Sequence, residues 1–187
     1  MTISGETIDY GPCAFLEHFD PRAVFSSIDT SGRYAYGNQP AIAQWNLARL
    51  ADALLPLIDA DAESAAQRAG AAVEAFAERF DFHWTSVLRL KLGLDGSSGD
   101  DRALADDYLK LMSQYRIDFT LAFARLADAA QGNDTPLRAL FGGTGAALEL
   151  WLKRWRERTQ AVGTSQVELA AALRSGNPIY IQRNHHV

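Results

Sequence analysis

The sequence predicts a mainly α-helical chain that opens with one short β-hairpin and continues as a helical bundle, within a single domain over residues 1–187. Three observations carry this. Apolar residues recur at threes and fours over Ala43–Ile58, Leu104–Tyr115, Phe119–Leu126 and Leu148–Trp155, the period of helices that bury one face. Two β-prone runs, Thr2-Ile3-Ser4 and Thr7-Ile8, flank Gly5-Glu6, and glycine takes the positive φ that a two-residue hairpin turn requires. A chain of 187 residues with 48% hydrophobic side chains can build one sizeable core.

The hairpin spans about Thr2 to Ile8 and delivers Asp9 at its exit, followed by Tyr10-Gly11-Pro12. A carboxylate there is held by the ladder behind it, while Gly11 turns the backbone and Pro12 stops the strand. Mg²⁺ takes one or two such carboxylates together with phosphate oxygens and water. The spacing alone also fits an Asp that ends a strand and accepts backbone hydrogen bonds in a turn.

From Cys13 to Pro21 the chain reads as a loop with an embedded turn, and Ser26, Ser27, Thr30 and Ser31 read as a hydroxyl-rich turn. Arg33, among Tyr34, Tyr36 and glycines, has the chemistry to meet a phosphate or a phosphorylated side chain, but pairing with a carboxylate or stacking on Tyr34 or Tyr36 is the expectation. Pro40 opens the first helix, whose stripe Ala43, Leu47, Leu50, Leu54 and Ile58 faces a core, and Pro56 ends or kinks it. The alanines from Asp61 to Ala72 mark a close helix–helix contact, and Phe80 to Leu90 continues helically with a bend. Leu94–Asp101 is the clearest internal break. Its aspartates fail the calcium-loop template, because Asp100 stands where glycine is required; Ser98 with Asp101 makes a helix start instead. Gln131-Gly132-Asn133-Asp134 ends one helix and Pro136 lies just inside the next. Phe141-Gly142-Gly143-Thr144-Gly145 lacks the Gly-Lys-Ser/Thr of a phosphate loop and reads as a helix end and cap. Trp151 and Trp155 share a core-facing side with Leu148 and Leu152. The last helix runs Gln166 to Leu173, then Asn177-Pro178-Ile179-Tyr180-Ile181 is extended. His185 and His186 lack a nearby third metal ligand and stay unassigned.

Several of these strings resemble a known family. The strand, turn, strand and Asp9-Tyr10-Gly11-Pro12 resemble the end of a kinase catalytic segment, where such an aspartate holds Mg²⁺. The string Ile3 to Pro12, with Gly32-Arg33-Tyr34-Ala35-Tyr36-Gly37-Asn38-Gln39-Pro40, Trp45-Asn46-Leu47, Asn177-Pro178 and Arg183-Asn184-His185, looks like the selenoprotein O family. The resemblance runs the length of the chain. It implies a helical lobe like the C-lobe of a protein kinase, in a pseudokinase that transfers AMP from ATP to Ser, Thr or Tyr hydroxyls of proteins. It also implies Mg²⁺ or Mn²⁺ as the metal, with Asp9 as metal ligand and, through the metal, as ATP contact. The family's proton-accepting Asp and metal-binding Asn precede the residues that match Met1-Thr2-Ile3, as does its ATP-gripping lobe. The expectation is therefore of a chain with no catalytic residue of its own, inactive and binding ATP-Mg²⁺ poorly by itself, and prone to self-association. The alternative is a non-catalytic helical module that partners a separate N-terminal lobe.

Composition narrows the partners. A net charge of −5 gives no general attraction to nucleic acid or anionic lipid. One cysteine excludes an internal disulfide and a cysteine-based zinc site. Without a long apolar run or a signal-like start, the cytoplasm is the expected location.

Overall fold

The computed structural model describes residues 15–142, 145–161 and 163–183. Among these residues the architecture is helical: α1 (Gln39–Ile58), α2 (Ala62–Glu74), α3 (Phe76–Leu92), α4 (Asp101–Tyr115), α5 (Phe119–Ala124), α6 (Leu126–Ala130), α7 (Thr135–Leu140), α8 (Gly145–Gln160) and α9 (Gln166–Gly176). None of these helices is long and apolar enough to cross a membrane. No strand occurs among the described residues; extended pairing is confined to one antiparallel bridge between His18 and Asp118. This corrects the expected fold class as far as the described residues go: they are helical and contain no β-hairpin. The segment read as that hairpin, Thr2 to Ile8, lies outside the described residues. The physical weakness of the expectation is plain: two strands this short form few ladder bonds, and an isolated two-stranded hairpin is marginal in water.

The chain divides into two compact units, and the division falls inside α3 between His83 and Trp84. In the first, a loop from Pro21 leads through a 3-10 turn (Tyr36–Asn38) into α1, which packs on α2. Asp61 caps α2 by accepting from Ser64 N at 2.8 Å, and Ala65 and Ala69 are the buried positions of that helix. Gln44 Nε2 donates to Val73 O at 3.1 Å, tying the start of α1 to the end of α2. The alanine-rich contact is therefore where the sequence put it. The stripe on α1 is not: no α1 residue is buried, and Leu50 and Leu54 of the stripe are 39% and 38% exposed. Within its unit α1 has α2 and the 3-10 turn to pack on, which cover too little of a helix this apolar. Pro56 sits in the last turn of α1, two residues from its end.

The second unit comprises residues 15–20 and 84–187. Its core is aromatic. Tyr108 stacks on Trp151 with ring centres 4.0 Å apart, and Trp151 on Trp155 at 6.0 Å. Each ring sends its polar atom to a backbone carbonyl at 2.8 Å: Tyr108 to Ala122, Trp151 to Leu104 and Trp155 to Leu92. Large apolar area is thus buried without an orphaned donor. Burial pushes the Tyr108 hydroxyl far above the ordinary tyrosine pKa. Leu88, Leu92, Met112, Phe123, Leu126, Leu137, Leu152 and Leu173 complete the core.

α3 ends at Gly93, whose φ of +66° closes the helix and whose missing Cβ leaves room for Leu169 and Leu173 of α9. The run expected as one helix through Leu126 is two, α5 and α6, separated at Arg125 (φ −72°, ψ −10°). α9 starts with a complete capping box, Ser165 and Glu168 each bonding the other's backbone N–H.

Candidate functional site

Asp9, the residue expected to hold the metal, lies outside the described residues, as do His185 and His186. Among the described residues no group of three His, Cys, Asp or Glu side chains could hold a metal ion. The other strings that carried the resemblance can be placed.

The Gly32–Pro40 string is a loop bonded to itself. The Asp29 carboxylate accepts from Arg33 N and Tyr34 N, both at 2.8 Å. Asn38 Nδ2 donates to Gly32 O at 2.9 Å, and Gln39 Nε2 donates to Tyr34 O. Gly32 has φ +68°, and a Cβ on Gly37 would meet Pro21 O at 2.9 Å. The polar residues of the string are thereby used to hold one backbone path into α1. Above it, the Arg33 guanidinium lies 4.7 Å from the Trp45 ring centre and 5.7 Å from that of Tyr34. Arg49 approaches the same tryptophan at 5.7 Å. Stacking was one of the two roles expected for Arg33, and Trp45 joins Tyr34 as the partner.

In the second unit, segment 15–20 pairs with the α4–α5 turn: Phe19 N donates to Ile117 O at 3.0 Å and Phe119 N to Glu17 O at 2.8 Å. His18, at this bridge, is exposed. Asp118 caps α5 through Leu121 N (2.8 Å) and holds Arg183 at 2.7 Å. Asn177 is buried; its Nδ2 donates to Lys91 O at 2.9 Å and Leu173 O at 3.0 Å. The closing Asn177-Pro178 … Arg183 string thus fastens the end of α9 to α3 and to the start of α5.

The strongest electrostatic feature went unread in the sequence. Asp101, assigned a helix-start role, is 2% exposed and meets two arginines. Arg158 Nε donates to Oδ1 at 2.7 Å, and Arg89 Nε lies 3.2 Å from Oδ2 as an ion pair. Ser98 N donates to the same carboxylate at 3.0 Å, which is the part of the expected helix start that the structure keeps. Burial pushes the Asp101 pKa up, but the Arg158 hydrogen bond, the Ser98 N–H and the charges of Arg158 and Arg89 outweigh it and leave it below the ordinary value. Asp107 is held low chiefly by its hydrogen bond from Arg154 at 2.7 Å. Asp134 bridges Arg156 and Arg138. Three of the four cations on α8 thus serve as interhelix ties, which accounts for a basic helix in an acidic chain.

A helical fold with these self-bonded strings defines a class before it defines a chemistry. A family model, Protein adenylyltransferase SelO, matches residues 1–187. The chain is 56% identical over 187 residues to a Protein nucleotidyltransferase YdiU of Cereibacter sphaeroides, covering 100% of this chain and 37% of that protein. It is 52% identical over 188 residues to a protein of the same name from Chromobacterium violaceum, and 50% over 190 residues to one from Rhizobium etli. These matches cover 39% and 38% of the two proteins' length. The chain belongs to the SelO family, and it spans well under half the length of these relatives.

Proposed function

We propose that this chain is the helical lobe of a protein nucleotidyltransferase, which moves AMP from ATP to Ser, Thr or Tyr hydroxyls of proteins. The observation that supports this is the family match over the whole chain, together with relatives at 50–56% identity named for nucleotidyl transfer. In the reaction the acceptor hydroxyl oxygen attacks the α-phosphorus of ATP. The bond from that phosphorus to the oxygen bridging to the β-phosphate breaks, pyrophosphate leaves, and the hydroxyl proton passes to a general base. Such transfer depends mostly on positioning and charge neutralisation.

Asp9 is the residue of this chain assigned to Mg²⁺, on the chemistry of a carboxylate in the Asp-aromatic-Gly string. Mg²⁺, when bound, would neutralise charge on the triphosphate. The described residues contribute a rigid support: the loop fixed by Asp29 and the aromatic core that anchors α3, α4 and α8.

The test uses a protein extended to the length of the relatives, radiolabelled ATP and an acceptor protein. Asp9→Ala is expected to abolish label transfer while leaving the circular dichroism spectrum unchanged. Transfer by the variant at the wild-type rate would overturn the assignment of Asp9.

A further inference from the structure

Lys91, in the last turn of α3, occupies a setting that nothing in the nucleotidyl-transfer reading uses. It is half-buried, with Nζ 5.2 Å from the Phe123 ring centre and 5.9 Å from that of Phe119. Among the described residues no carboxylate pairs with it. The Asn177 Oδ1 at 3.4 Å is the polar atom it reaches, a long contact at best. That oxygen is fixed in place, because the Asn177 amide nitrogen is committed to Lys91 O and Leu173 O. An ammonium has three donors, so most of its capacity is unmet by the described residues.

Beside it lies a cavity of about 240 Å³, lined by Lys91, Thr120, Asn177, Leu16, Phe119, Pro178 and Ile181. The lining is apolar apart from one cation, one hydroxyl and one amide. That combination selects a ligand class. A strongly hydrated phosphate dianion needs several donors to replace its water, and a single lysine does not supply them. A carboxylate needs fewer, and its hydrocarbon tail gains from the carbon walls. Aromatic faces beside Nζ favour the charged amine, whereas desolvation by burial opposes it and holds its pKa below the ordinary lysine value. A bound anion relieves that opposition.

We propose that the Lys91 cavity binds a small carboxylate with an apolar tail, the carboxylate on Lys91 Nζ and the tail against Phe119, Pro178 and Ile181. The site is held by backbone-fastened parts: α3 through Asn177, and the 177–183 segment through the Arg183–Asp118 pair at 2.7 Å.

The experiment is an NMR titration of the ¹⁵N-labelled chain with sodium benzoate, against sodium chloride and inorganic phosphate at matched ionic strength. Benzoate is expected to give saturable shifts centred on the amides of residues 91, 119–120 and 177–181, which phosphate does not. Lys91→Met is expected to weaken benzoate by about ten-fold or more, the loss of a hydrogen bond to a charged group. Ile181→Trp, which fills the cavity from its apolar wall and spares the amine, is expected to weaken it as well. The wild-type shift map locates the site even if a variant folds poorly. Absence of saturable shifts, an equal response to phosphate, or unchanged affinity in a folded Lys91→Met chain would overturn the proposal.

Discussion

Asp101 shows how much one side chain can be asked to do. Its carboxylate joins the last turns of α3, the start of α4 and the end of α8, with Arg89 and Arg158 as partners. Removing the charge leaves two arginines facing each other in a partly desolvated site, so Asp101→Asn is expected to destabilise by about 3–5 kcal/mol in chemical denaturation. The pH dependence has a definite sign. The folded-state pKa of Asp101 is depressed, so its stabilisation is fully present above the unfolded value of about 3.9 and is lost as pH falls through the folded value. Acid titration of wild type and Asp101→Asn should therefore converge at low pH; a constant gap would count against the pairing. Gly93 makes a second residue-scale case. At φ +66°, with an added Cβ only 2.6 Å from Leu169 Cδ1, Gly93→Ala carries both backbone strain and a clash. A loss of about 1–3 kcal/mol in thermal or chemical unfolding is expected.

At the scale of elements, α9 depends on its start. Ser165→Ala removes the acceptor for Glu168 N and the donor to Glu168 Oε2 at 2.7 Å, and is expected to cost about 1 kcal/mol in chemical unfolding. The aromatic core offers a sharper measurement. Tyr108→Phe keeps the ring on Trp151 but strands the Ala122 carbonyl, so a loss of about 1–3 kcal/mol is expected. Element existence was largely readable. Threes-and-fours spacing found α4 and α8, α9 was expected over Gln166 to Leu173, and the Gly132 and Pro136 signals found the α6–α7 turn, because these depend on near neighbours in sequence. What escaped reading was non-local. Nothing near Asp101 announces Arg158, which lies 57 residues on. Nothing near Lys91 announces Asn177, 86 residues away. The α1 stripe was expected to face a core, yet none of its residues is buried, because a repeat at threes and fours does not say how much partner it has. Arg33 was legible in kind, as a stacking cation, though Trp45 was not foreseen.

Across the whole molecule, burial is unevenly shared between the two units. α4 and α8 contribute many fully buried side chains, whereas α1 contributes none. Amide hydrogen exchange tracks such differences through local opening. Amides in the interiors of α4 and α8 are expected to exchange at the slow, globally limited rate, and those of α1 well before them. Uniform protection across α1, α4 and α8 would show that the exposed α1 stripe is covered in solution. The proposed metal ligand, Asp9, rests on its sequence string alone and lies outside the described residues.

The tryptophans also make the chain its own optical reporter. Trp151 and Trp155 are sealed in an apolar stack with their indole N–H groups bonded, whereas Trp45 is 49% exposed beneath two guanidinium groups. The sealed pair should emit at short wavelength and resist quenching by acrylamide. Trp45 should emit further to the red and be quenched readily. A Trp45→Phe chain would keep only the second unit's tryptophans, the half-buried Trp84 and the sealed pair, so the loosening of that unit could be followed by colour without signal from the first.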